Sequence, residues 1–121
     1  MTVTLYHNPR CSKSRETLAL IRKAGIEPVV VEYLKDPPGK TEWLELVRRM
    51  GVTLRSLLRQ TEKPYDELGL SDPGLSDDAL LEAVARHPIL MNRPIVATPN
   101  GVRLCRPPEA VLELLGPPSA G

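Results

Sequence analysis

The opening residues 1–34 contain a strand, a helix and a second strand in close succession, and no other feature of the sequence restricts the fold as strongly. The segment VTLY (3–6) has the β-branched and aromatic residues that are typical of a strand. Apolar residues spaced three and four apart predict a helix over 12–25 that ends at Gly25. The segment EPVVVEYL (27–34) is apolar enough for a strand inside a sheet. These segments predict a βαβ unit, whose two strands we expect to be parallel.

The middle of the sequence has helical patterns only. The segment KDPPGK (35–40) ends the βαβ pattern. Three predicted helices then begin at residues that are favoured as N-caps: 41–50 at Thr41, 53–60 at Thr53 and 76–87 at Ser76. We therefore predict an all-helical insertion over 40–88.

The last part of the sequence returns to strands. Segments 94–99 and 102–106 flank Asn100-Gly101, the dipeptide that most strongly predicts a tight hairpin turn. A closing helix is predicted over 107–115, with Pro108 tolerated in its first turn, and we expect a frayed tail over 116–121. The order is βαβ followed, after the insertion, by ββα. We therefore predict one α/β domain over 1–121 with a thioredoxin-like core and a helical insertion.

Composition excludes several classes of function. The chain has 121 residues of which 41% are hydrophobic, which suits one packed domain. Its 16 basic and 15 acidic residues give a net charge of +1, so there is no electrostatic reason to expect a nucleic acid or membrane partner. No apolar run approaches the ~20 residues of a membrane span, and the first residues lack a signal-peptide pattern. We expect a cytoplasmic protein.

The cysteine and histidine content argues against a disulfide scaffold and against a metal site. The two cysteines, Cys11 and Cys105, are too few for a disulfide framework and lack the spacing of zinc ligands. His7 and His87 form no ligand cluster with cysteines or carboxylates. We expect no metal and no tightly bound cofactor.

Cys11 lies at the predicted turn from the first strand to the first helix, with Arg10, Lys13 and Arg15 as neighbours. The free N–H groups of a first helical turn, the helix dipole and nearby cations all favour a thiolate over a thiol. We therefore expect the pKa of Cys11 to lie below the ~8.5 of a free cysteine. The same positive pocket is suited to an oxyanion. Together these properties predict attack by the sulfur on a bound oxyanion.

Four segments of the sequence resemble one enzyme family in the same order and spacing, from about residue 4 to residue 115. These segments are YHNPRCSKSRETLALI, LRSLLRQTEKPYDELGL, HPILMNRPIV and RLCRPPEAVLELL. They are similar to the glutaredoxin-coupled arsenate reductases of the ArsC family. The resemblance implies reduction of arsenate to arsenite, with glutathione as co-substrate and glutaredoxin as the partner that accepts the mixed disulfide.

The resemblance also implies roles for individual residues. Cys11 corresponds to the nucleophile that attacks arsenate, and His7 and Ser14 correspond to residues that tune its thiolate. Three arginines, Arg59, Arg93 and Arg106, match the residues that bind the oxyanion. Pro94 matches the cis-proline beside the active cysteine, and Cys105 matches a second cysteine that the family does not require.

The residues also leave alternatives open. Taken alone, Arg59 would be a solvated cation at the end of a helix, and Arg106 could equally be an edge charge. The ArsC-like fold is shared with Spx-type regulators, which carry a Cys-x-x-Cys switch, but this chain has Ser14 at the second cysteine position.

Besides an arsenate reductase and an Spx-type regulator, a glutathione-dependent thiol oxidoreductase is possible, in which the anion pocket binds a glutathione carboxylate. Lys13, where many family members have an uncharged residue, is expected to lower the pKa of Cys11 slightly further.

Overall fold

The computed structural model describes residues 1–116. It contains four strands and five α-helices within those residues, which in chain order are β1 (Thr4–His7), α1 (Ser12–Lys23), β2 (Val29–Glu32), α2 (Lys40–Met50), α3 (Lys63–Glu67), α4 (Asp77–Arg86), β3 (Ile95–Thr98), β4 (Gly101–Leu104) and α5 (Leu112–Leu115). Shorter 3₁₀ segments occur at Arg55–Leu57, Pro88–Leu90 and Pro108–Val111. None of the helices in the described part of the chain is long and apolar enough to cross a membrane.

The chain divides into two compact units. Among the described residues, the first contains Met1–Asp36 and 93–116, and the second is Pro37–Asn92. The predicted βαβ unit and the predicted hairpin belong to the first unit, and the predicted insertion over 40–88 lies within the second. That 1–121 forms a single domain stays a prediction. The tail expected over 116–121 lies, beyond Gly116, outside the described residues.

The first unit is built on a four-stranded sheet with the order β2-β1-β3-β4. β1 is parallel to β2, with Leu5 opposite Val30, as the βαβ pattern predicts. β3 is antiparallel to β1, and β4 is antiparallel to β3 across the predicted Asn100-Gly101 turn. Gly101 has a φ of +148°, a value that a residue with a side chain rarely adopts. The predicted fold class, α/β with a thioredoxin-like core, is confirmed by this topology.

Helix α1 packs one face against the core of the first unit. Its buried residues Ser14, Thr17 and Ile21 recur at spacings of three and four, as expected for a helix with one buried face. The core itself consists of seven buried residues: Val3, Leu5, Ile21, Val96, Cys105, Val111 and Leu114. The helix ends at Lys23, two residues earlier than predicted, because the chain turns at Gly25 with a φ of +84°. This packing fixes the start of α1 at one end of the sheet.

The helices of the second unit agree only partly with the predictions. α4 begins as predicted, since Ser76 Oγ accepts the backbone N–H of Ala79 at 3.2 Å. α2 begins one residue earlier than expected, and its N-cap is Gly39 instead of Thr41. The short helix α3, whose second residue is Pro64, was not predicted.

The helix predicted over 53–60 is wrong. This segment contains only the 3₁₀ turn Arg55–Leu57, after which the chain becomes extended and Leu58 forms an antiparallel bridge with Met91. The N–H of Arg59 bonds to Leu90 O at 2.8 Å, so it is not available to an α-helix. Arg59 consequently lies in an extended segment and not at the end of a helix.

Candidate active site

Cys11 is the N-cap residue of α1. Its backbone is extended, with φ −91° and ψ 122°, and its carbonyl accepts the N–H of Arg15 at 3.0 Å. The side chain is partly exposed, and the first turn of α1 contains no acidic residue. The sulfur is therefore accessible, and it lies at the positive end of the helix dipole, where a negative charge is stabilised.

Several hydrogen-bond donors surround the Cys11 sulfur and affect the pKa of its thiol. Burial on its own raises the pKa of the Cys11 thiol, because a charged sulfur loses hydration. The backbone N–H groups of Ser14 and Lys13, followed by the side chains of Arg106 and Arg93, oppose this effect and lower the pKa below its ordinary value. The donors to a thiolate in this position come from the first turn of α1 and from the segments just before β3 and just after β4.

The two arginines beside the sulfur are held in different ways. Arg106 Nη1 lies 3.8 Å from Cys11 Sγ and donates to the backbone oxygen of Arg93 at 3.0 Å. Arg106 is exposed, whereas Arg93 is only 7% exposed. Arg93 directly precedes Pro94, and their peptide bond is cis, at the position where the resemblance implies a cis-proline. The Pro94 oxygen accepts the N–H of Cys105 at 2.8 Å, which ties this segment to the end of β4.

Two of the cations that are close to Cys11 in sequence, Lys13 and Arg15, have other contacts. Lys13 Nζ lies 3.8 Å from Glu16, and Arg15 Nη1 donates to Pro9 O at 2.9 Å. Lys13 acts on the sulfur through its backbone N–H, and the effect of its ammonium group on the pKa stays a prediction. The charged groups that donate to the sulfur therefore come from Arg106, 95 positions along the chain, and from Arg93.

His7 and Ser14 form a buried polar pair next to Cys11. His7 Nδ1 lies 2.6 Å from Ser14 Oγ, which also accepts the backbone N–H of Asn8 at 3.1 Å. Burial lowers the pKa of His7, and the neighbouring Glu32 opposes that shift. The Ser14 hydroxyl is thus engaged by His7 and Asn8, while its backbone N–H is the group that acts on the Cys11 sulfur. The roles implied for His7 and Ser14 in tuning the thiolate stay predictions.

Arg59 belongs to the second unit. Its Nε lies 3.2 Å from Glu62 Oε2, and its Nη1 donates to Asn92 Oδ1, also at 3.2 Å. The side chains of Arg59 and Glu62 are each 26% exposed. The oxyanion-binding role that the resemblance implies for Arg59 stays a prediction.

Cys105 differs from Cys11 in every property that matters for reactivity. It is fully buried within the core of the first unit. Burial raises the pKa of its thiol to about 12, with Arg103 opposing the shift. Cys105 is a small apolar core residue in this structure.

Iodoacetamide is expected to alkylate Cys11 selectively at neutral pH. Cys11 is partly exposed with a lowered pKa, whereas the Cys105 thiolate does not form until strongly alkaline pH. Because only the thiolate reacts, the rate should rise with pH through a midpoint below the ~8.5 of a free cysteine. Mass spectrometry would identify the labelled peptide, with Cys11→Ser as the control that takes up no label. Equal labelling of both cysteines, or a midpoint like that of a free cysteine, would contradict this prediction.

Residues 1–116 contain no group of three or more His, Cys, Asp or Glu side chains that could hold a metal ion. The site consists instead of a sulfur and nitrogen donors, namely the backbone N–H groups of Ser14 and Lys13 and the guanidinium groups of Arg106 and Arg93. Such an arrangement can bind a tetrahedral oxyanion and bring a thiolate against its central atom.

Comparisons with known proteins agree with one another over nearly the whole chain. The model of the ArsC family matches residues 6–114. The chain is 56% identical to an arsenate reductase of Rhizobium meliloti (strain 1021), over 95% of this chain and 82% of that protein. It is 52% identical to an arsenate reductase of Escherichia coli, over 93% of this chain and 80% of that protein. Among solved structures, an arsenate reductase from Vibrio cholerae superposes with a TM-score of 0.91 at 50% identity, covering 95% of this chain and 98% of the other.

Proposed function

This chain belongs to the ArsC family, and we propose that it reduces arsenate to arsenite through the Cys11 thiolate, with glutathione and glutaredoxin as the source of electrons. The observation that carries the proposal is the Cys11 sulfur at the start of α1, with Arg106 and Arg93 as side-chain donors. An inert cysteine would gain nothing from these donors. We place the reaction in the cytoplasm, where reduced glutathione is maintained.

Arsenate is negatively charged, so its approach to a thiolate is opposed by charge repulsion. The guanidinium groups of Arg93 and Arg106 offset this repulsion, and each presents planar paired donors that match an oxyanion. The open N–H groups at the start of α1 add further donors. We also assign Arg59 to the oxyanion, on the basis of the family resemblance.

The proposed reaction has three steps. First, the Cys11 thiolate forms a bond to arsenic, and one arsenate oxygen takes up protons and leaves as water. Second, a glutathione thiolate attacks the Cys11 sulfur, so a disulfide forms while the sulfur–arsenic bond breaks and its electron pair reduces As(V) to As(III). Third, glutaredoxin attacks the glutathione sulfur and releases the Cys11 thiolate. The leaving sulfur in the last step departs readily because its pKa is low.

A coupled assay with glutathione, glutathione reductase and glutaredoxin tests this proposal. Oxidation of NADPH is expected to depend on arsenate, and it should stop when glutaredoxin is left out. Activity on small mixed disulfides without any arsenate turnover would overturn the proposal and favour a glutathione-dependent thiol oxidoreductase.

Replacing Cys105 with serine is expected to leave the turnover of folded protein unchanged while it lowers the free energy of unfolding. The thiol is fully buried in the core, so a hydroxyl there loses hydration, at a cost of about 1–3 kcal/mol. Denaturant unfolding and the coupled assay would be measured on the same sample, with Cys105→Ala as the variant that buries no polar atom. A loss of turnover in both variants at normal stability would show instead that Cys105 takes part in the chemistry.

A further inference from the structure

Asn8 joins the end of β1 to the start of α1. It is only 3% exposed, although the next two residues, Pro9 and Arg10, are exposed. Its carbonyl oxygen accepts the N–H of Cys11 at 3.0 Å, which closes a four-residue turn over 8–11. Asparagine and proline are favoured at the first two positions of such a turn. This turn connects the end of β1 to Cys11.

The side chain of Asn8 stabilises the turn from inside. Its Oδ1 accepts the backbone N–H of Arg10 at 3.0 Å, the short-range contact with which asparagine imitates a further backbone turn. The backbone N–H of Asn8 also donates to Ser14 Oγ at 3.1 Å. Asn8 is therefore hydrogen-bonded to Cys11 itself, to Arg10 before it and to Ser14 after it.

We propose that Asn8 is a positioning residue for the nucleophile: its side-chain oxygen holds the 8–11 turn in the conformation that keeps Cys11 as the N-cap of α1. The donors to the sulfur act only at hydrogen-bond range, so they depend on the conformation of this turn. This inference rests on Cys11 being the nucleophile, but not on arsenate being the substrate. It assigns a function to a residue of the HNPRC segment for which the sequence alone indicated no role.

Loss of the Asn8 side chain is expected to change the pKa of the Cys11 thiol more clearly than the melting temperature of the protein. The Arg10 N–H lies in an exposed loop and can bond to water when Oδ1 is removed. The turn then has more accessible conformations, and Cys11 spends less time with its sulfur in line with the Ser14 and Lys13 N–H groups. The thiolate is stabilised less as a result, and its pKa rises.

The experiment compares Asn8→Ala with Asn8→Ser and with a matched control, Asn100→Ala. Serine keeps a short neutral acceptor that can replace Oδ1 more weakly. The side chain of Asn100 likewise bonds to the main chain, but as a donor: its Nδ2 donates to Leu114 O at 3.0 Å and to Gly116 O at 2.7 Å. It follows β3, whose Ala97 pairs with Thr4 at the start of β1, so it lies at the opposite end of the sheet from Cys11. Its replacement removes side-chain hydrogen bonds to the main chain without affecting the 8–11 turn.

The readouts are the pH profile of Cys11 alkylation and the melting temperature, neither of which involves arsenate. Asn8→Ala is expected to shift the profile to higher pH and to slow alkylation by about three- to tenfold at a pH below the thiol pKa. Asn8→Ser should recover part of this loss, and Asn100→Ala should lower the melting temperature without moving the profile. An unchanged profile in Asn8→Ala, an equal shift in Asn100→Ala, or a serine variant that behaves like alanine would overturn the proposal.

Discussion

Cys11→Ser is expected to lose arsenate turnover by at least about a thousandfold, which in the coupled assay means a rate at background. A serine hydroxyl is not ionised near neutral pH, and it cannot form the disulfide through which glutathione would remove the arsenic. The donors around residue 11 stay in place, because the backbone N–H groups and Arg106 do not depend on the sulfur for their own positions. The variant should therefore fold normally. Bound arsenate should still protect its Arg93 and Arg106 side chains from an arginine-modifying reagent.

The matched control is the same substitution at the other cysteine. Cys105→Ser makes the same change at the fully buried cysteine, and this variant should keep its turnover of arsenate. Residual activity in Cys11→Ser that vanishes in the double variant would point to Cys105 as an attacking thiol and would contradict the assignment of Cys11.

Arg93→Ala is expected to lower kcat/KM for arsenate by about a hundred- to a thousandfold, the usual effect of removing one preorganised donor from an anion site. Arg93 is 7% exposed, so its charge acts in surroundings where water screens it little. The substitution also removes a donor to the Cys11 sulfur, so the pKa of that thiol should rise. Arg93→Lys keeps the charge but loses the planar paired donors, and an intermediate loss is expected.

Two measurements separate the contributions of Arg93. Steady-state kinetics report the loss toward arsenate, and the pH profile of alkylation reports the change at the sulfur without any oxyanion. The matched control is Arg103→Ala, which removes an exposed arginine of β4 that pairs with Glu113. Its kcat/KM should stay close to that of the unmodified protein. A comparable loss in both variants would mean that general charge, and not a specific contact, supports the reaction.

Much of the architecture follows from local patterns in the chain. The parallel pairing of β1 and β2, the hairpin at Asn100-Gly101 and the N-cap at Ser76 agree with the sequence-based predictions. The hairpin turn and the N-cap depend on residues only a few positions apart, because turn preference and capping are short-range effects. The parallel pairing joins residues farther apart, but it follows from the order of the strand, helix and strand, each of which has its own local periodicity. The failed helix over 53–60 shows the limit of such patterns. There, a β-bridge between Leu58 and Met91 replaces the expected helical hydrogen bonds, and no pattern within 53–60 predicts this bridge.

In the candidate site, too, some features could be predicted from neighbouring residues and others could not. The position of Cys11 at the start of a helix could be predicted from the strand-to-helix change in periodicity and from Gly25 at the far end. The cations nearest in sequence were a poorer guide, since Arg15 bonds to Pro9 and Lys13 pairs with Glu16. Arg93 and Arg106 were indicated by family resemblance, and no spacing rule connects them to Cys11.

The sequence by itself determined the order of the elements and a cysteine at the positive end of a helix, since both arise from interactions within a few residues of each other. Only the tertiary structure decided which groups reach the sulfur and which cysteine is withdrawn from solvent. A guanidinium group acts on a thiolate when the two are within a few ångströms, and Arg106 is 95 positions from Cys11. The pairing of β1, β3 and β4 brings such distant residues together, and Cys105 is buried in the core that packs against this sheet.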